Sequence, residues 1–342
     1  MRLFIGMRHT ALVRELLRSG EPSIRWRTLV RVLGESPRTP RVRALERAVR
    51  ASARVRALLS HAWAPYRENT ARSVYYKWQG VQWALASLAD VGHPRGDRNL
   101  GELRDRMQGL WTRPSFRRTY TTRTKLGGYG RPAVPVVRGR ARRCASQQGN
   151  ALLSICRLGL CDDGTKELAS LLVGWQWPDG GWNCDRDPGA DTSSFMETLT
   201  PMRGLAAFAK ETGDIRAKQA ARRAAEVFLE RRLFRRRSDG RIIRPEFCLL
   251  HYPLYYHYDL LGGLKGLAEL GLLSDPRCRE ALDLLESKEL PTGGWPAEAR
   301  YYRVSEVFRP GSEFVDWGPV SGSKMNEWVT TDALYVLREA GR

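Results

Sequence analysis

Two short stretches constrain this chain more than any others: Gln176-Trp177-Pro178-Asp179-Gly180-Gly181-Trp182 and Pro291-Thr292-Gly293-Gly294-Trp295. Each follows a helix-like segment, carrying Leu171-Leu172 before the first and Leu284-Leu285 before the second. A glycine turn closes each helix, and one large indole then needs a buried seat. Repeated helix-turn-indole units mark an array whose repeats bury one another's apolar faces. Asp239-Gly240 adds a turn between them, after a helix-like run from Arg216 to Phe234. The glycines at 180, 240 and 293 are 60 and 53 residues apart, about the length of two helices with their loops.

The apolar pattern extends this reading. Val74–Val91, Ala145–Leu160, Thr192–Lys210, Leu254–Leu270 and Asn326–Ala340 are helix-like and low in charge. Between several of them lie one-sided, charged segments: Glu167–Gln176, Ile215–Phe234 and Pro276–Leu290. A helix apolar all round belongs inside, and an amphipathic one belongs outside. An inner ring wrapped by an outer ring satisfies both. Near the start, Ile24–Leu33 supplies a sixth inner candidate, and Val42–Trp63 reads as one long basic helix. Sustained period-two alternation is missing, so little or no strand is expected.

The 342 residues can bury a large core, and 42% hydrophobic content is ordinary for a globular protein. The sequence has no apolar run of the ~18 residues a membrane span needs. Met1–Gly6 is too short for the apolar region of a signal peptide. Six cysteines without framework spacing read as free thiols, and a cytoplasmic location is expected. The net charge is +20, and between Arg104 and Arg143 twelve basic residues meet one acid, Asp105. That stretch, residues 103–143, reads as a basic irregular insertion facing either solvent or an anionic partner, phosphate or diphosphate before nucleic acid.

These motifs resemble the α/α toroids of the terpenoid cyclase and protein prenyltransferase superfamily. Asp179-Gly180-Gly181-Trp182 is similar to the core of the glutamine-tryptophan repeat of squalene-hopene cyclases. A closer likeness, to uncharacterised bacterial squalene-cyclase-like proteins, rests on several stretches. They are Gly20-Glu21-Pro22-Ser23-Ile24-Arg25-Trp26, Lys77-Trp78, Gly149-Asn150, Trp182-Asn183-Cys184-Asp185, Ser193-Ser194-Phe195, His257-Tyr258-Asp259 and Trp328-Val329-Thr330-Thr331. The implied fold is all-α: a single toroid over residues 1–342, with the helices of residues 1–70 forming part of the ring. Asp185-Arg186-Asp187-Pro188 lacks the last acid of the Asp-x-Asp-Asp proton donor of class II cyclases, and the aspartate-rich metal motif of class I enzymes is missing.

The resemblance implies inner helices that run parallel, with their N-termini at one mouth of a central cavity. Cys144, Cys184, Asp185, Asp191 and His257 each fall just before or within the first turn of an expected inner helix. They would then converge, and Cys144, Cys184, Asp185 and His257 form a plausible zinc set. In the prenyltransferases Asp and Cys ligands occupy comparable helix starts; here Asp191-Thr192-Ser193 has serine where the thiol would be. Glu197, in the first turns of its helix, can serve as ligand or acid, or complement the helix dipole. His257 is the leading general acid or base, with Asp259 two residues on to orient it. Tyr75, Trp78, Tyr255, Tyr256, Tyr258 and Trp328 are expected either to line the cavity and bind an isoprenoid chain or to pack between helices.

The expected activity is that of a terpene cyclase or prenyltransferase acting on an apolar or diphosphate-bearing substrate. Two alternatives stand beside it. One is a zinc enzyme of the lanthionine-cyclase type acting on a peptide thiol. The other is a non-catalytic toroid that binds an anionic partner. Peripheral membrane contact is compatible with each.

Overall fold

A computed structural model describes residues 9–62, 71–307 and 309–342. Helix makes up 54% and strand 7%, so the fold is all-α. The helices are α1 (Thr10–Leu16), α2 (Pro22–Arg27), α3 (Pro40–Arg50), α4 (Ala53–Ala62), α5 (Ala71–Tyr75), α6 (Val81–Val91), α7 (Gly101–Trp111) and α8 (Pro114–Arg117). They continue with α9 (Ala145–Arg157), α10 (Asp163–Trp175), α11 (Phe195–Thr212), α12 (Ile215–Leu229), α13 (Leu260–Glu269), α14 (Arg279–Ser287) and α15 (Glu327–Ala340). Five short strands accompany them: β1 (Thr119–Thr122), β2 (Val134–Val137), β3 (Arg140–Ala141), β4 (Arg303–Val304) and β5 (Ser312–Glu313).

The five low-charge segments become α6, α9, α11, α13 and α15, each buried over most of its length. Their contacts run in a cycle. α6 packs on α9, α9 on α11, α11 on α13 and α13 on α15; α15 meets α2, and α2 returns to α6. Outside this cycle α7 and α10 lie against α9, α12 against α11, α14 against α13 and α4 against α6. The outer helices bury one stripe. In α12 the stripe is Ala217, Ala220, Ala221, Ala224, Ala225 and Phe228, the spacing of one helical face.

Local chemistry fixes the boundaries. Asp162 and Thr165 form a reciprocal capping box at the start of α10, with both backbone-to-side-chain bonds 3.0 Å long; such a cap contributes about 1 kcal/mol. α9 and α11 approach so closely that a Cβ on Gly149 would lie 2.3 Å from the nitrogen of Pro201. Only glycine allows that approach.

The two indoles are seated alike. Trp182 and Trp295 are both fully buried. Backbone bonds from Trp177 to Gly181 and from Leu290 to Gly294 close the glycine turns before them. Each backbone N–H donates to a threonine hydroxyl of the next ring helix, Thr198 of α11 or Thr330 of α15.

Several expectations are corrected. The segment 74–91 is not one helix: α5 ends at Tyr75, a turn follows, and α6 begins at Val81. The segment 42–63 breaks at Ala51–Ser52 into α3 and α4. Trp63, like the rest of residues 63–70 and residues 1–8, lies outside the described residues, as does the signal-peptide reading of Met1–Gly6. Residues 103–143 are not irregular throughout: they hold most of α7, then α8 and a small sheet. In that sheet β1 runs parallel to β2 and β2 antiparallel to β3. Arg138 and Gly139, both at positive φ, make the two-residue turn of the β2–β3 hairpin. β4 and β5 form a second parallel pair. Among the described residues no helix is long and apolar enough to cross a membrane.

Candidate functional site

Cys144 is the N-cap of α9, Glu197 lies in the first turn of α11, and Cys184 precedes α11 in the loop after Trp182. The α9–α11 contact brings their starts together. One ligand atom from each of the three lies within 4.8 Å of the other two. The Cys184 thiol donates to Glu197 Oε1 at 3.4 Å, and the Ser146 backbone N–H donates to Oε2 at 2.9 Å. All three side chains are half-buried.

Arg143 completes the electrostatics. Its guanidinium lies 4.6 Å from the centre of the Phe116 ring and donates to Gln147 Oε1 at 2.6 Å. Hydrogen bonding from Cys184 lowers the Cys144 thiol below its ordinary value. The Cys184 thiol is raised, first by that same bond and then by burial. Burial raises the Glu197 carboxyl as well.

The donor set fits a metal ion. Sulfur ligands lie about 2.3 Å and carboxylate oxygens about 2.0–2.2 Å from zinc, so atoms sharing one ion fall within such a spread. Two thiolates and a carboxylate carry three negative charges; a divalent cation with Arg143 beside it would balance them. With three protein ligands, one tetrahedral position would remain for water or substrate.

The sequence-derived set of Cys144, Cys184, Asp185 and His257 is only half assembled. Asp185 is exposed and accepts the Asp187 backbone N–H at 2.9 Å; the short loop turns it back on itself. His257 is not in the cluster either. Asp191 is exposed and bonded to the Thr192 hydroxyl at 2.9 Å. Glu197, given a choice of roles by the sequence, supplies the third ligand atom.

His257 lies in a separate aromatic group. Its ring stacks between Tyr301 at 4.0 Å and Tyr256 at 4.4 Å. Its Nδ1 is buried with no hydrogen-bond partner among the described residues. Burial, then His251 and Lys77, push it down to about 4, so the imidazole is neutral at pH 7. Tyr256 accepts from Lys77 Nζ at 2.9 Å. Tyr75 is the link to the thiol cluster: burial, then Glu197, Cys144 and Tyr256, raise its phenol. The sequence paired Asp259 with His257. Asp259 instead caps α13, accepting the Gly262 N–H at 2.6 Å, and its other oxygen lies 3.0 Å from His251 Nδ1. The buried His251–Asp259 pair was missed because His251 stands eight positions earlier.

The aromatic residues chiefly pack against one another. Trp78 stacks on Tyr255 at 4.0 Å, and Tyr255 donates to Glu313 at 2.9 Å. Tyr258 is buried among Phe195, Phe228 and Phe247, its hydroxyl on the Leu233 carbonyl. Trp328 stacks on Tyr252 and carries the guanidinium of Arg27 over its ring. Of the six aromatic residues named from sequence, only Tyr255 lines the cavity at the centre of the ring. That cavity offers about 70 Å³ to the centres of water molecules, well below the ~300–1,000 Å³ of typical ligand pockets.

The unexpected component of the ring is ionic. Arg27 of α2 pairs with Asp90 of α6 and Asp332 of α15, and Lys265 of α13 pairs with the same two carboxylates. Arg157 of α9 and Arg203 of α11 share Glu269 of α13. Every helix of the cycle contributes. Despite the opposing effect of burial, Lys265, Arg27 and Arg31 hold Asp90 well below the carboxylate range. Burial brings Lys265 down to about 8.

No protein-family model matches this sequence. No curated protein matches it either.

Proposed function

We propose that this protein is a zinc-dependent enzyme on an α/α-toroid scaffold of the terpenoid cyclase and prenyltransferase type. In this reading Cys144, Cys184 and Glu197 hold the metal. The observation that carries the proposal is the meeting of two thiols and a carboxylate from three separated positions at the starts of α9 and α11. The closed cycle of ring contacts supports the toroid. A zinc ion there would supply a Lewis acid and lower the pKa of a bound thiol or water. Arg143 offsets the excess negative charge of the ligand set. His257, held neutral chiefly by burial, lies in the adjoining aromatic group. Tyr75, with Tyr256 close enough to raise its phenol, links the two groups. An isoprenoid or similarly apolar substrate would have to lie outside the central cavity, which is too small for it.

The test is metal analysis of the purified full-length chain, as isolated and after zinc reconstitution. About one zinc per chain is expected, with loss in Cys184→Ser. Cobalt substitution should add thiolate-to-metal absorption. A chain that retains no metal under either condition would sink the proposal.

A further inference from the structure

The ionic ring is unbalanced. Five cations, Arg27, Arg31, Arg157, Arg203 and Lys265, face three carboxylates, Asp90, Glu269 and Asp332. Arg27, Arg203, Lys265 and Asp332 are buried, so water does little to screen the excess. Uncompensated buried charge is costly. The carbonyl end of α9 favours Arg157, which is its last residue. Arg203 and Lys265 lie within their helices and gain little from that effect.

The unmatched donors face a cavity. Arg157, Arg203 and Lys265 line it beside two of the carboxylates, Asp90 and Asp332, with Asn150, Ser154, Thr200 and neutral His257 as polar neighbours, so cations still outnumber carboxylates on its wall. Arg203 commits Nε and Nη2 to Glu269 at 2.9 and 2.8 Å; its Nη1 has no partner among the described residues. The volume of about 70 Å³ corresponds to about five water positions at ~15 Å³ each. It suits one tetrahedral oxyanion and is too small for a prenyl diphosphate.

We propose that the centre of the ring binds one small oxyanion with the size and charge of inorganic phosphate, held by Arg157, Arg203 and Lys265. The bound anion would neutralise the surplus charge and tie α9, α11 and α13 together. The site is separate from the thiol cluster and does not depend on it.

The test is calorimetric titration of the full-length chain with inorganic phosphate at fixed ionic strength, with thermal unfolding in parallel. One equivalent should bind, and the melting temperature should rise. Arg157→Gln should weaken binding at least tenfold. Asn150→Asp adds a third carboxylate to the cavity wall at nearly constant volume and so cancels its cationic excess. It should abolish phosphate binding while melting at or above the wild-type temperature, which separates loss of the site from loss of the fold. Cys184→Ser should bind phosphate normally. Absence of binding to wild type, equal binding by Asn150→Asp, or loss in Cys184→Ser would each overturn the proposal.

Discussion

Trp182 and Trp295 make the same bond in two turns of the ring. Each indole N–H donates to the carbonyl ten residues earlier, Leu172 at 2.9 Å and Leu285 at 2.8 Å. The indole thus locks the preceding outer helix to the turn that leads into the next ring helix. Thr198 and Thr330 complete the lock, accepting from the backbone N–H of the respective tryptophan.

Replacing either tryptophan by alanine removes a fully buried indole. A loss of about 3–5 kcal/mol is expected for each, measured by urea unfolding. Thr330→Val removes only the hydroxyl and should cost about 1–3 kcal/mol, because the Trp295 N–H is left buried without a partner. Unchanged stability in both tryptophan variants would contradict the shared role.

Glu313 makes stability fall as pH rises. Burial raises its carboxyl from 4.5 to about 7, against bonds from Tyr255 and the Phe314 backbone. Below the unfolded value both states are protonated, and the contribution is fully present. As pH rises through the folded value, the unfolded carboxyl ionises more readily and stability is lost. The loss should approach about 3 kcal/mol, since each pH unit separating the folded and unfolded values is worth ~1.4 kcal/mol. Glu313→Gln should flatten this limb when unfolding is followed from pH 4.5 to 8.

His257 acts in the opposite sense. Its folded value of about 4 lies below the ordinary 6.5, so its contribution is present above 6.5 and is lost as pH falls towards 4. Proton NMR should give an imidazole titrating near 4 that disappears in His257→Phe. That variant keeps the stack between Tyr256 and Tyr301 but removes the titrating ring. Folding should therefore survive while the loss of stability between pH 6.5 and 4 is reduced.

Asp332→Asn should destabilise by about 3–5 kcal/mol, because it takes a carboxylate from a cluster already short of negative charge and leaves Arg27 and Lys265 with one fewer buried partner. Arg342→Ala breaks ion pairs to Asp283 and Glu286 near the surface and should cost less than about 1 kcal/mol. Thermal unfolding of the two variants side by side checks the contrast.

The ring helices were legible in the sequence because burial on all sides demands apolar residues throughout a segment. The glycine-indole units were legible because chain reversal and one large buried ring need particular residues at fixed spacing. Cys144 and Cys184 could be paired only on the premise of converging helix starts. That Glu197 joins them, while Asp185 and His257 do not, depends on how α9 lies against α11. Asp259 was assigned to the wrong histidine because sequence distance says little about which way an N-capping carboxylate turns. The ionic ring was invisible for a related reason. Asp90, Arg157, Arg203, Lys265 and Asp332 each stand between uncharged neighbours in the sequence, and a single charge so placed has no visible partner. Only tertiary packing brings them within the few ångströms where the Coulomb attraction offsets their loss of water.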